Sequence, residues 1–152
     1  MTHINTPIAV LGAGAWGTAL AMGLARNGQS VRLWDIDSEL IATMQSDRMQ
    51  PARLPGIPFP DKLEPVSDLA DALDGIRDIF LVVPSFAFKK VLESLKPLVA
   101  DDVRFAWGTK GLNPEKSHKG KGFTPALVAS SSKIRTKDLF HSSHRYQLPI
   151  NL

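Results

Sequence analysis

Apolar and polar positions alternate along this chain in two distinct rhythms, and the first change of rhythm comes early. A short apolar run, Ile8 to Leu11, passes through Gly12-Ala13-Gly14 into alanines and leucines at helical spacing. This predicts a buried strand, a tight turn and a helix from about Ala15 to Asn27, with Gly28 placed to end it. A second strand is expected over Ser30 to Trp34, followed by the acidic turn Asp35-Ile36-Asp37. Ser38 is then the expected cap of a helix from Glu39 to about Arg48, with Ile41 and Met44 on its core face. Residues 50–65 hold five prolines and a glycine, so they are expected to form a loop, neither regular helix nor central strand. A short helix over about Asp68 to Leu73, stopped by Gly75, leads to Asp78–Val83, a continuous apolar run of the kind buried on both faces of a parallel sheet. Pro84 stops that run, Ser85 is the expected cap of a helix from Phe86 to Leu95, and Val103 to Trp107 is the next strand. It leads into Gly108-Thr109-Lys110-Gly111.

Strands alternating with helices through short connections predict an α/β fold of the Rossmann type, a doubly wound parallel sheet with helices on both faces. In such a sheet ligands sit beyond the carboxyl ends of the strands. Gly12 to Gly17, Asp35, Pro84-Ser85 and Lys110 are therefore expected to line one crevice. After about Asn113 the pattern fails: residues 114–152 are rich in Ser, Lys and His and follow neither period, apart from one short element expected over Thr124 to Ser130. The expected organisation is a dinucleotide-binding domain over 1–113, a basic tail over 114–152, and a sheet incomplete at its C-terminal side.

Composition changes this picture only through the placement of charge. The net charge of +3 divides into a body and a tail of opposite sign. Residues 1–113 hold 11 Lys and Arg against 13 Asp and Glu, whereas residues 114–152 hold 7 against 2. A folded part that is mildly acidic argues against nucleic-acid binding, which calls for a basic stripe interleaved with aromatics on the folded face. The absence of cysteine excludes a disulfide framework, thiolate metal sites and a thiol nucleophile. No run approaches the roughly 18 apolar residues of a membrane span, and the first residues carry no secretory pattern, so a cytoplasmic location is expected. Oligomeric state is not legible, although a sheet and helices without their remaining partners would expose apolar surface and favour self-association.

The chemistry centres on Gly12, Gly14 and Gly17, spaced G-x-G-x-x-G between strand and helix. The first glycine allows the tight turn, the second a close approach of backbone to a pyrophosphate, and the third close packing of the helix. The helix N-terminus then offers unpaired N–H groups and the positive end of its dipole to the phosphates. The alternative is a tight strand-to-helix turn with no ligand. Asp35, 18 residues after Gly17, stands where a carboxylate can accept the ribose hydroxyls of an adenosine and repel a 2′-phosphate. Asp35 or Asp37 could equally start a turn or cap the following helix. Trp16 reads either as core packing or as a lid over the pyrophosphate and nicotinamide. Lys110 reads either as a solvated charge or as the partner of a phosphorylated or carboxylated substrate. The histidines, at 3, 118, 141 and 144, form no constellation of metal-ligand spacing, and neither a G-x-S-x-G elbow nor a P-loop is present.

Taken together, GAGAWGTALA at 12–21, LARNG at 24–28, LP and PFP within 54–60, DIFLVVPSFAF at 78–88 and WGTKGL at 107–112 resemble bacterial NAD(P)-dependent glycerol-3-phosphate dehydrogenase. The resemblance covers residues 8 to about 113. It implies hydride transfer between glycerol 3-phosphate and dihydroxyacetone phosphate, at the entry to phospholipid synthesis. By position, Gly12, Gly14, Ala15, Trp16, Gly17, Asp35, Ile36, Pro84 and Lys110 are implied to bind the cofactor, and Lys110 the substrate as well. Many members carry Arg, Lys or His near the end of the second strand to meet a 2′-phosphate, whereas Asp35-Ile36-Asp37 here leans toward NAD over NADP. The family continues with a G-P-[ST]-F-A segment and a helical domain whose V-K-N lysine is thought to act as general acid, and neither is found in this sequence. The expectation is thus a truncated or frame-shifted chain with the cofactor half of the site and no assigned catalytic residue. The rival expectation is a dinucleotide-binding module without catalysis.

Overall fold

A computed structural model describes residues 6–108. Five strands, β1 (Ile8–Leu11), β2 (Val31–Trp34), β3 (Leu63–Val66), β4 (Asp78–Leu81) and β5 (Arg104–Trp107), form one sheet in the order β3-β2-β1-β4-β5. Every pairing is parallel. The helices are α1 (Ala15–Arg26), α2 (Ser38–Asp47), α3 (Leu69–Leu73) and α4 (Ser85–Leu95).

Side chains alternate across the sheet, so one strand feeds two cores. From β1, Val10 joins Ala21, Met22, Leu33, Ile41 and Met44 beneath α1 and α2. Ala9 and Leu11 point the other way and join Ile79, Leu81, Leu92, Leu95 and Phe105 beneath α3 and α4. This double burial is why β1, and β4 after Asp78, read as apolar runs. At the end of the sheet remote from the strand C-termini, Arg104 grips the Asp78 carboxylate through Nε and Nη2, both at 2.6 Å, tying β5 to β4. Those hydrogen bonds hold the guanidinium pKa above its ordinary value.

Several expectations are corrected in detail. Residues 63–66 are a strand, not loop, and Pro65 is tolerated because β3 is the outer strand. The Pro65 carbonyl is taken by Gln45 Nε2 at 2.8 Å. Asp37, not Ser38, caps α2, its Oδ1 accepting from Leu40 N at 3.0 Å, and Ser38 is the first helical residue. Ser85 likewise opens α4 with Pro84 as N-cap and makes no side-chain cap. The expected strand at 78–83 ends at Leu81, two residues before Val83, and α1 ends at Arg26 with Gly28 in the left-handed conformation at φ 91°.

The proline-rich stretch between α2 and β3 is ordered. Arg48 closes α2 in the left-handed region and accepts from Phe59 N at 2.6 Å, while its Nη2 donates to Pro60 O at 3.0 Å. The guanidinium also lies over the Phe59 ring. Among the described residues no helix is long and apolar enough to cross a membrane.

Candidate functional site

The parallel register sets the last residues of four strands, Trp34, Leu11, Leu81 and Trp107, at one level. One residue further on stand Asp35, Gly12, Val82 and Gly108, and each of them lines a single cleft of about 530 Å³. The ladder reaches this level: Gly12 N donates to Trp34 O at 2.7 Å, Val82 N to Leu11 O at 2.8 Å and Gly108 N to Leu81 O at 2.9 Å. The floor of the cleft is therefore sheet, and its walls are the two strand-to-helix turns that follow β1 and β4.

In the first turn the three glycines answer to three different constraints. Gly12 has φ 117°, and a Cβ there would lie 2.6 Å from the Val82 carbonyl oxygen, so both conformation and space exclude a side chain. A Cβ on Gly17 would overlap the Gly12 carbonyl oxygen. Helix α1 thus sits directly on the turn that launches it. Gly14, by contrast, has no protein atom within 4 Å of where its Cβ would stand. A glycine that nothing in the protein demands, set at the N-terminus of a helix of 12 residues, leaves a surface to which something outside the protein can come close. The residues present therefore fit a pyrophosphate.

The two peptides that flank Ala13 are held from three directions. Asp35 Oδ2 accepts from Ala13 N at 2.7 Å. Ala13 O accepts from Thr18 Oγ1 at 3.2 Å and from Gln50 Nε2 at 3.0 Å. Asp35 Oδ1 accepts from Asp37 N at 3.0 Å, so this carboxylate both braces the glycine turn and starts its own. The turn-starting reading of Asp35 is realised, and Asp37 carries the cap.

The second wall is built of side chains. Phe86 and Lys90 of α4 line the cleft with Pro84, and Phe86 is 83% exposed. Ile36, facing the same cleft from the turn after β2, is 71% exposed. Trp16 is 50% exposed and belongs to neither core, so it is not a packing residue. Its indole crosses to Gly108, where an added Cβ would stand 3.1 Å from Nε1. Three large apolar side chains, Trp16, Ile36 and Phe86, thus stand exposed round one cleft.

Of the residues expected to bind a cofactor, Gly12, Gly14, Ala15, Trp16, Gly17, Asp35, Ile36 and Pro84 all line this cleft. Lys110 lies outside the described residues, as do the tail and its expected element at 124–130. Sequence reasoning passed over Trp34, Phe86, Lys90 and Gln50. The first three follow from residues already singled out: Trp34 precedes Asp35, and Phe86 and Lys90 lie on the helix that Pro84 opens. Gln50 had no comparable signal, being a lone polar residue at the start of the proline-rich stretch.

The profile of the NAD-dependent glycerol-3-phosphate dehydrogenase N-terminus matches residues 7–127, continuing past Asn113, where sequence reasoning ends the domain. The chain is 53% identical over 112 residues to glycerol-3-phosphate dehydrogenase [NAD(P)+] of Coxiella burnetii, covering 74% of this chain and 34% of that one. Against the enzyme of the same name from Klebsiella pneumoniae the identity is 53% over 115 residues, covering 76% and 34%. The crystal structure of the Coxiella burnetii glycerol-3-phosphate dehydrogenase superposes with a TM-score of 0.70 at 51% identity, covering 72% of this chain and 34% of that one. The chain spans about a third of the length of the relatives it matches.

Proposed function

The chain belongs to the NAD-dependent glycerol-3-phosphate dehydrogenase family, and from that premise we propose that it supplies the cofactor half of an NAD(P)-dependent oxidoreductase acting on glycerol 3-phosphate and dihydroxyacetone phosphate. One observation carries the reading: Gly14, at the mouth of the cleft, is the one glycine of the turn whose missing side chain leaves space free of protein atoms. The pyrophosphate binds there, against the first N–H groups of α1, where the helix dipole favours negative charge.

Trp16 bounds the cleft beside Gly108, Asp35 and Ile36 bound it after β2, and Pro84 and Phe86 bound it where α4 begins. Asp35 already spends one lone pair of each oxygen on a backbone N–H, and its remaining lone pairs accept the ribose hydroxyls. The carboxylate beside apolar, exposed Ile36 offers nothing to a 2′-phosphate, so NAD is the preferred cofactor. When bound, the nicotinamide supplies or takes the hydride. Lys110, on the segment that follows β5, pairs with the substrate phosphate as a point charge. Residues 1–113 form the dinucleotide-binding domain. The setting is glycerophospholipid precursor synthesis in the cytoplasm, with self-association of the chain.

Hydride addition to a carbonyl leaves an alkoxide that needs a proton donor, and none is assigned among the described residues. This favours one second reading, a dinucleotide-binding fragment without turnover, and a paired measurement separates the two. Calorimetric titration with NAD+ is expected to show binding, and the absence of heat at millimolar cofactor overturns the cofactor assignment. NADH oxidation in the presence of dihydroxyacetone phosphate then decides between them: turnover supports the oxidoreductase, and binding without turnover supports the fragment.

A further inference from the structure

Gln50 is a polar side chain only 1% exposed, and it spends all of its visible bonding on two pieces of backbone far apart in the chain. Its Oε1 accepts from Ala52 N at 2.9 Å and Arg53 N at 2.8 Å, folding the start of the proline-rich stretch around it. Its Nε2 reaches 37 residues back to donate to Ala13 O at 3.0 Å. A buried amide is tolerated only when so paired, and here the pairing ends on the turn that shapes the cleft.

We propose that Gln50 is a positioning residue for cofactor binding, one that aims the Gly14 N–H into the pyrophosphate site. This rests on the dinucleotide reading above. In a trans peptide the C=O of Ala13 and the N–H of Gly14 point in opposite directions. Pinning the carbonyl toward Gln50 and Thr18 therefore turns the Gly14 N–H away from them, and among the described residues no protein acceptor takes it. Asp35 completes the arrangement by withdrawing the Ala13 N–H. The peptide is thus oriented before any phosphate arrives, and binding need not spend free energy on ordering it. The proline-rich stretch, which touches the cleft with none of its own residues, acts on it through this one side chain.

The test uses the 152-residue chain, labelled with ¹⁵N, and NAD+ as the probe. Gln50→Glu at pH 8 keeps an acceptor for Ala52 and Arg53 but replaces the donor to Ala13 with a carboxylate oxygen, and so also sets negative charge against that carbonyl. It is expected to weaken NAD+ binding about tenfold, the worth of one buried hydrogen bond. The Gly14 amide nitrogen, which shares its peptide with the Ala13 carbonyl, should shift in the same variant, while that of Gly75 stays in place. Gln50→Met, neutral and of similar length, removes the donor without adding charge, and the same two changes are expected of it, so a loss confined to Gln50→Glu is a charge effect and overturns the proposal. A folded variant that binds NAD+ as the unaltered chain does, whatever its melting temperature, overturns the proposal alone. Failure of the unaltered chain to bind NAD+ overturns the cofactor reading and this proposal with it.

Discussion

The two walls of the cleft are made in opposite ways. The glycine turn after β1 is built from backbone, and both backbone groups of Ala13 are anchored, the N–H by Asp35 and the C=O by Thr18 and Gln50. The turn after β4 opens α4 with no side-chain cap and presents Phe86 almost wholly to solvent. The difference separates two tasks. A pyrophosphate needs donors fixed in advance, because misdirected N–H groups cost affinity, whereas a flat apolar group needs only surface to cover. The first wall is thus bound up with the fold, whereas Phe86 on the second is free of it.

That contrast can be broken by substitution. Gly17→Val is the severest test, since its side chain would displace the Gly12 carbonyl. A loss of about 3 kcal/mol or more is expected in urea unfolding, with NAD+ binding abolished. Gly14→Ala sharpens the same wall: no protein atom is in the way, so stability should fall by no more than about 1 kcal/mol, the cost of alanine at an N-cap. Its affinity for NAD+, measured by calorimetry, should nonetheless fall at least tenfold. Equal affinity would mean that the space beside Gly14 is not where the pyrophosphate lies. On the other wall Phe86→Ala should leave stability within about 0.5 kcal/mol, as an exposed side chain does, and weaken NAD+ binding severalfold. A large loss of stability there would show that Phe86 packs into the fold and is not free surface.

How much of this was legible in the sequence follows the same division. The strand, glycine turn and α1 were readable because their pattern is local: an apolar run, three glycines at fixed spacing and a stretch of strong helix formers. The cleft residues Asp35, Ile36 and Pro84 were readable because parallel topology alone brings strand ends together. Strand β3 was not, since five prolines within 50–65 outweigh a four-residue strand unless its place at the sheet edge is known. Asp37 and Ser38 are both good caps, and which of them acts is set by where the chain leaves β2. Gln50 escaped notice for a different reason. A buried amide has no periodicity, and its partner lies 37 residues away.

Pro65 has a consequence for the growth of the sheet. A strand can be added to an edge only where that edge offers a regular row of donors and acceptors. At Pro65 the donor is missing by chemistry, and the carbonyl is already engaged by Gln45. The β3 side is thus sealed against recruitment of a further strand, whether from this chain or from a neighbour in a crowded solution. The sheet is a one-ended structure: a strand that extends it enters beside β5.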